Sequence, residues 1–310
     1  MKFLERSFDP TNRIWKYLLV FICALFLWPL IGFIPLIVVS LIPYLNENGI
    51  AKLPLDGAAM ISGSHLSNNM WLFFQLLSTA IALFLTVWLV KLLHRRSFAE
   101  VVNGTKKIRI KRILTGAGVW FALMTITYAV DFVVCREDYV LQFSLPHFLP
   151  LLFISLLLMP FQTTGEEFLF RGYLTQGCAA LTRKRWAAAL IPALCFGLMH
   201  APNPEVREFG FWIMMPQYIY FGLFFGLVAI LDDGIELSMG LHAANNIFLS
   251  LFATHRSSAL QTDAVLEVTH IYPLKDTLLL VLLSLIAGLY FAWKYKWNLR
   301  NVLKEPLRDS

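Results

Sequence analysis

Long apolar runs separated by short charged segments dominate the hydrophobic pattern of this chain. A helix needs about 20 apolar residues to cross the hydrocarbon core of a bilayer. The pattern therefore predicts about eight transmembrane helices. In chain order they lie within residues 17–45 and at about 70–90, 113–130, 147–166, 186–201, 209–231, 237–253 and 277–293. We expect Pro29 and Pro35 to kink the first span.

Composition supports the same class of protein. Of the 310 residues, 58% are hydrophobic and only 15% are charged, whereas a soluble domain of this length would carry more charge. We find no internal repeat and no soluble domain, so residues 1–310 are predicted to form a single integral membrane domain. No cleavable signal is expected, because the first apolar run is longer than the apolar part of a signal peptide.

Basic residues cluster beside the apolar runs rather than forming one patch. The clusters lie in the amino-terminal segment, at 91–112, at 182–185 and in the tail from Lys294 onward. Under the positive-inside rule, all four segments and both termini are predicted to be cytoplasmic. Basic residues in this arrangement are typical of juxtamembrane segments, so we expect no nucleic-acid partner.

Two adjacent carboxylates, Glu166 and Glu167, interrupt the apolar pattern. The chain contains no Asp, Glu, Lys or Arg from Tyr139 to Gly165, and then these two glutamates are followed by Arg171. An ionisable group at membrane depth costs several kcal/mol unless it is paired or lies in a wet cavity. The pair is therefore difficult to explain as packing and indicates a functional site.

The spacing around the basic turn near Arg183 brings Glu166 close to His200. Each of the two residues is 17 positions from Arg183, one before it and one after it. In an antiparallel helical hairpin, both would stand roughly 25 Å from the turn. This requires the fourth helix to continue through Arg171 to the turn, and it allows a kink near Gly165.

A second polar pair lies in the seventh span. His242 and Asn246 are four residues apart and share one helix face. The acidic turn at 232–236 precedes this span, and the alternation of the spans predicts that it is cytoplasmic. His242 and Asn246 follow Glu236 by six and ten residues, which places them roughly 9–15 Å from that turn. We expect them to converge with Glu166 and His200 in a partly buried cavity in the cytoplasmic half of the membrane, within a catalytic core of about 147–253.

This set of side chains allows two kinds of hydrolysis. A carboxylate and an imidazole, Glu166 and His200, could activate water directly, while His242 and Asn246 donate to a developing oxyanion. Alternatively, Glu166, His200 and His242 could bind zinc, with a bound water as the nucleophile. The zinc-protease signature His-Glu-x-x-His is absent from the chain, but the spacing does not decide between the two.

Three motifs in order resemble a known family. They are Glu166-Glu167-x-x-x-Arg171, Phe196-x-x-x-His200 and His242-x-x-x-Asn246. Together they resemble the CAAX prenyl endopeptidase and bacteriocin-processing family (CPBP, also called Abi), whose members are intramembrane proteases with about eight spans. The resemblance covers about residues 165–250 closely and the first four spans only loosely.

The resemblance implies roles for these residues. Glu166 matches the catalytic glutamate, His200 matches its water-activating partner, and His242 with Asn246 matches the oxyanion-stabilising pair. In supporting positions, Glu167, Arg171 and Phe196 complete the motifs, with Glu167 and Arg171 expected to pair. The family is often labelled metalloprotease, yet its prenyl-protease members look like glutamate-dependent enzymes. We therefore expect no required cofactor and keep zinc as the alternative.

The expected substrate is a peptide or protein held in membrane lipid, either a prenylated carboxyl terminus or a leader peptide. The expected location is multi-pass in a bacterial inner membrane. A competing hypothesis is a non-catalytic protein of the same fold that acts in bacteriocin immunity or maturation by binding peptide. A third is a proton-coupled transporter, which the lack of an inverted repeat disfavours.

The other histidines and two further carboxylates receive structural interpretations. We expect the five histidines outside the motifs to lie in loops or at the membrane interface: His65, His94, His147, His255 and His270. Asp131 and Glu267 are expected to face solvent on the external side.

Overall fold

The structure, a computed structural model, describes residues 2–9, 12–48 and 66–298. Most of the loop between the first two predicted spans, including His65, lies outside the described residues. So does the end of the predicted basic tail, with Arg300 and Lys304.

Helices account for all eight predicted spans. The helices are α1 (Lys2–Glu5), α2 (Ile14–Ile22), α3 (Trp28–Gly32), α4 (Ile34–Asn48), α5 (Asn68–His94), α6 (Phe98–Asn103), α7 (Ile110–Val134), α8 (Leu145–Glu166), α9 (Thr175–Thr182), α10 (Arg185–Met199), α11 (Pro204–Phe209), α12 (Phe211–Leu231), α13 (Glu236–Phe252) and α14 (Pro273–Tyr295). Short 3₁₀ turns occupy Arg6–Phe8 and Arg136–Asp138, and π-helical segments occupy Cys23–Leu27 and Glu167–Leu174.

Six helical runs in the described part of the chain are long and apolar enough to cross a membrane. They are Ile14–Ile42, Asn68–His94, Ile110–Val134, Leu145–Thr182, Phe211–Leu231 and Pro273–Tyr295. The other two predicted spans are the shorter helices α10, with 15 residues, and α13, with 17. Most of α13 is buried by neighbouring helices, and α10 packs against α12. The prediction of an all-α polytopic membrane protein is confirmed, while the cytoplasmic position of the termini stays a prediction.

The first span is interrupted where its prolines predict kinks. The π-helical segment Cys23–Leu27 precedes Pro29, and a turn at Phe33 precedes Pro35. Proline has no amide hydrogen to donate to the carbonyl four residues earlier, so the regular α-helical bonding fails just before it.

A small sheet that the sequence does not predict joins the loops at one end of the bundle. Strand β1 (Tyr139–Leu141) pairs antiparallel with β3 (Leu266–Val268), which also pairs in parallel with β2 (Ala253–Thr254). Strands of two or three residues are too short to show an alternating pattern. We call this end of the bundle, formed by residues 135–144 and 253–272, the loop end.

The opposite end, here the turn end, carries the turns at 183–184 and 232–235. The amino-terminal segment touches both of them. The Phe3 N–H donates to Asp233 Oδ1 at 3.2 Å, and the Phe8 ring centre lies 5.8 Å from the Arg183 guanidinium carbon. Both turns were predicted to lie in the cytoplasm, which makes the turn end the predicted cytoplasmic face.

Close contact between α7 and α13 fixes the position of the seventh span. A methyl group added to Gly240 would collide with the Ile113 carbonyl oxygen, and one on Gly116 would lie 2.5 Å from the Leu237 carbonyl oxygen. Only glycine allows two helix backbones to approach so closely. The contact holds α13, which carries His242 and Asn246, against the rest of the core.

One of the interpretations given to isolated ionisable residues is wrong. His94 is only 1% exposed, and its ring nitrogens contact Asn12 Oδ1 and Tyr173 Oη, each at 2.7 Å. Asp131 pairs with Lys275 and lines the central cavity described below, but its side chain is 25% exposed, so its position facing solvent on the external side stays a prediction. The burial of His94 depends on contacts between distant segments, which a sequence pattern of loops and spans does not show.

Candidate active site

The Glu166–Glu167 pair lies where α8 changes into a π-helical segment. Residues 145–182 form one continuous helical run, as the hairpin prediction requires. The regular α-helix ends at Glu166, and π-helical bonding runs from Glu167 to Leu174, just beyond the predicted kink at Gly165. π-Helical segments inside α-helices are frequent at functional sites.

Glu167 is the centre of a buried ionic cluster. Its Oε1 accepts hydrogen bonds from Arg171 Nη1 and His242 Nδ1, both at 2.8 Å. The exposed fraction is 0% for Glu167 and 1% for Arg171. The Arg171 guanidinium carbon also lies 4.0 Å from the ring centre of Phe196. The expected pair of Glu167 and Arg171 is thus present, and Phe196 covers it.

Glu166 is held at one oxygen and open at the other. Its Oε1 accepts a hydrogen bond from Gln162 Nε2. Its Oε2 is buried without a hydrogen-bond partner among the described residues, and lies 3.8 Å from His242 Nε2. A buried carboxylate oxygen that is left unpartnered is uncommon and is expected at sites that bind water or substrate.

His200 follows the last turn of α10 and is fixed by two neighbours, Phe196 and Tyr218. Its Nδ1 lies 2.8 Å from the Phe196 carbonyl oxygen, so Nδ1 carries the hydrogen and Nε2 is left as an acceptor. The ring stacks on Tyr218 with centres 4.6 Å apart, and it lies 4.4 Å from the Phe196 ring. Tyr218 in turn accepts a hydrogen bond from Asn203 Nδ2 at 3.2 Å.

Asn246 belongs to a chain of amide contacts. Its Nδ2 donates to Gln162 Oε1 at 3.2 Å, and its Oδ1 accepts from Asn245 Nδ2 at 3.1 Å. Asn245 is held by Trp120 Nε1, also at 3.1 Å. The amide of Asn246 therefore points at Gln162, which connects it to Glu166.

Gln162 is the residue of this site that the sequence analysis missed. It bridges Glu166 and Asn246, two residues from different helices. Its signal was present in the sequence, because Gln162 lies four residues before Glu166 and so on the same helix face. Tyr218, which orients His200, gives no comparable signal, since aromatic residues are common throughout α12.

All of these side chains meet in one central cavity. The cavity has a volume of about 670 Å³ and is lined by Gln162, Glu166, His200, His242 and Asn246, among others. From this site it extends along α7, α13 and α14 to the loop end, away from the turns predicted to be cytoplasmic. Its volume is in the usual range for ligand pockets.

The arrangement does not form a ready metal site. Within the described residues, no group of three or more His, Cys, Asp or Glu side chains is placed to hold a metal ion. The alternative ligand set of Glu166, His200 and His242 shares the cavity, and the contact of His242 Nδ1 with Glu167 leaves Nε2 of that ring available. Whether zinc or any other cofactor is used stays a prediction.

The fold and site define a multi-pass, all-α membrane protein with a carboxylate and two imidazoles enclosed in its helical bundle. Residues 145–248 match the family model of the type II CAAX prenyl endopeptidase Rce1-like proteins. The uncharacterised protein YyaK of Bacillus subtilis (strain 168) is 30% identical over 297 residues, which cover 94% of this chain and 95% of YyaK. No solved structure matches the chain.

This protein belongs to the type II CAAX prenyl endopeptidase Rce1-like family, which is generally a family of proteases. The resemblance seen in the three motifs is thereby confirmed at the level of the family. The matched residues 145–248 include every residue of the predicted site, from Glu166 to Asn246.

Proposed function

We propose that this protein is an intramembrane endopeptidase in which Glu166 and His200 activate a water molecule for direct attack on a peptide bond. The observation that carries the proposal is the geometry of Glu166. One oxygen is fixed by Gln162, and the other is buried without a partner among the described residues, as is one oxygen of Glu167. Of the two glutamates, it is Glu166 that lines the cavity shared with two histidines. A carboxylate held in this way is suited to accept a proton from water.

In the proposed reaction, the water gives a proton to Glu166 Oε2 and its oxygen attacks the scissile carbonyl carbon. His200 orients the water through Nε2, the ring nitrogen that its bond to the Phe196 carbonyl leaves as an acceptor. When the tetrahedral intermediate collapses, the carbon–nitrogen bond breaks and Glu166 returns the proton to the departing amine. No covalent enzyme intermediate is formed.

His242 and Asn246 are proposed to stabilise the oxyanion. Because His242 Nδ1 donates to Glu167, the ring can donate from Nε2 only when both nitrogens are protonated. Asn246 must release Gln162 to donate its amide, so substrate binding is expected to rearrange this contact.

The proposed substrate is a peptide or protein segment within membrane lipid, either a prenylated carboxyl terminus or a leader peptide. The proposed reaction requires no cofactor. A bacterial inner membrane is the proposed location, and the apolar helices together with the family support a multi-pass membrane protein. His242 lies six residues into α13, which supports a cut nearer the turn end than the loop end.

The test compares wild type with Glu166→Gln at matched membrane levels. We expect protein termini that appear only with wild type, and a loss of about 10²- to 10⁴-fold in cleavage of the substrate identified from them. Glu267→Gln is the matched control, because Glu267 pairs with the 90% exposed Arg256 and does not line the cavity. Identical termini with Glu166→Gln and wild type would contradict the proposal and favour a peptide-binding role without catalysis.

A further inference from the structure

The central cavity has an unbalanced charge. Its described lining residues include five carboxylates and one lysine but no arginine. The carboxylates are Asp131, Asp138, Glu166, Glu205 and Asp276, and the lysine is Lys275. All except Glu166 lie towards the loop end. A substrate that fills the cavity therefore meets a predominantly acidic wall.

The one lysine is already neutralised. Lys275 Nζ forms an ion pair with Asp131 Oδ1. Asp131 also accepts a hydrogen bond from Tyr139 Oη at 2.6 Å, which fixes the carboxylate in place. A carboxylate on a substrate would have to displace Asp131 to reach this ammonium group. The described lining of the cavity thus contains no arginine and no unpaired lysine, and its other basic side chains are the histidines His200, His242, His255 and His270.

Other groups at the loop end are open to a cationic partner. Glu205 accepts the Ala259 N–H at 2.8 Å through Oε1, but its Oε2 is buried without a hydrogen-bond partner in the described chain. Burial raises the pKa of Glu205, as expected for a carboxylate without a close cation. Asp138 lies 3.4 Å from His270, whose ring is largely exposed, and it also accepts a hydrogen bond from the Tyr272 hydroxyl.

A hydroxyl group that lines the same end of the cavity gives an independent sign of a missing ligand. Thr254 is only 8% exposed, and its Oγ1 is buried without a partner among the described residues. Buried polar atoms normally have a hydrogen-bond partner, and those that line a cavity obtain it from water or from a ligand. Thr254 lies in β2, beside the acidic wall.

Resting on the proposed peptidase function, we propose that this cavity selects a peptide segment that carries a positive charge, a Lys or Arg side chain or a free amino group. It disfavours a segment whose terminal carboxylate would lie at the loop end. A cation there gains several carboxylate partners, whereas an anion is repelled by the same groups. A CAAX segment ends in a carboxylate, so the structure favours a basic peptide over that substrate.

The test measures binding separately from hydrolysis. Glu166→Gln in neutral maltoside micelles is titrated with three fluorescent peptides that share one apolar core, an acetylated amino end and an amidated carboxyl end. Their flanks are Lys-Lys, Gln-Gln or Glu-Glu. We expect the lysine peptide to bind at least about tenfold more tightly than the glutamate peptide, with the glutamine peptide between them and the difference shrinking as salt is added. Equal or tighter binding of the glutamate peptide would overturn the proposal.

Variants that neutralise selected carboxylates show which of them produce the preference for the lysine peptide. Glu205→Gln combined with Asp276→Asn, in the Glu166→Gln background, should reduce the preference for the lysine peptide towards equality. Glu267→Gln changes charge near the same end without lining the cavity, and it should leave the preference intact. An equal reduction by Glu267→Gln would assign the effect to general surface potential and contradict the proposal.

The two proposals can fail separately. Charge-selective binding without wild-type cleavage would remove the peptidase function and keep the charge selectivity. Wild-type cleavage without charge-selective binding would keep the peptidase function and remove the charge selectivity. If the double variant does not fold, the three-peptide comparison still decides, because it needs only Glu166→Gln.

Discussion

Two glutamates, the fully buried Glu236 and the partly buried Glu166, show how differently this protein treats a carboxylate. Glu236 opens α13 at the turn end and has both oxygens bonded. Arg109 reaches it through Nε at 3.0 Å, Nη2 at 2.5 Å and its backbone N–H at 3.1 Å, and the Asn103 amide adds a further bond. Glu166 has one oxygen bonded, by Gln162 alone. A satisfied carboxylate fixes structure, whereas an incompletely satisfied one is available to a water or a substrate.

The fully hydrogen-bonded cluster around Glu236 helps to position the site around Glu166. Arg109 also donates to the Asp232 carbonyl oxygen at 2.8 Å, so it ties the segment before α7 to the turn between α12 and α13. His242 lies six residues beyond Glu236 on the helix that this contact anchors. We therefore expect changes at the turn end to act on stability, and changes at Glu166 and Gln162 to act on activity.

The largest expected effect is that of Glu167→Gln. This change leaves the guanidinium of Arg171 buried without its anionic partner, and breaking such a pair costs about 3–5 kcal/mol. Thermal unfolding in detergent should show a large fall in Tm together with loss of cleavage. Glu166→Gln is the control, and it should lose cleavage with little change in Tm. If both variants lose the same stability, the two glutamates do not have the separate roles assigned to them.

The second effect is that of Arg109→Ala. Glu236, with 0% of its surface exposed, would lose three of its hydrogen bonds, at a cost of about 2–3 kcal/mol in the free energy of unfolding. This cost is lower than that of breaking a fully buried pair, because the Arg109 side chain is 32% exposed and solvent screens its charge. Lys111→Ala removes the same charge from an exposed position two residues away and should change Tm little. A comparable loss in both variants would mean that net charge, and not this contact, supports α13.

These contacts separate what the sequence predicts from what it does not. The spans followed from hydropathy, and the hairpin symmetry about Arg183 led to Glu166 and His200 in one cavity. The His242 and Asn246 pair followed from helix periodicity. Each of these depends on local spacing along one or two helices, which the chain displays directly.

The other features depend on contacts between distant segments. No pattern in the chain pairs Arg109 with Glu236, which are 127 residues apart, so the part that the acidic turn at 232–236 plays in anchoring α13 is not predictable from it. The π-helical segment from Glu167 and the direction of the cavity towards the loop end likewise depend on how helices pack. The four-residue spacing to Glu166 does indicate Gln162, but a neutral amide in an apolar helix costs less free energy than a charge and is a weaker sign of a functional site.

Gln162→Ala tests the site around Glu166, the glutamate whose hydrogen bonding is incomplete. Gln162 holds Glu166 and Asn246 together without touching the proposed reacting atoms, so it is a positioning residue. We expect kcat to fall about tenfold or more with little change in KM or Tm, because misplacing a catalytic group slows the chemical step. Gln217→Ala, at another glutamine that lines the cavity, should leave kcat near the wild-type value. A change confined to KM would instead assign Gln162 to substrate binding.

The smallest effect is expected for Glu205→Gln, and it depends on pH. Because burial raises the pKa of Glu205, the folded protein holds the proton more tightly than the unfolded chain does. The ionised form therefore reduces stability once the pH exceeds the ordinary glutamate pKa of about 4.3, and the full reduction is reached above the raised value. Glu205→Gln keeps the acceptor for the Ala259 N–H and should raise Tm modestly at about pH 8, with the gain fading as the pH falls towards about 4.

Glu267→Gln, at an exposed ion pair worth at most about 1 kcal/mol, should show no such gain. A Glu205→Gln variant that is less stable than wild type at about pH 8 would mean that the carboxylate is stabilised by a partner, and the acidic wall of the cavity would then be satisfied in the way that Glu236 is.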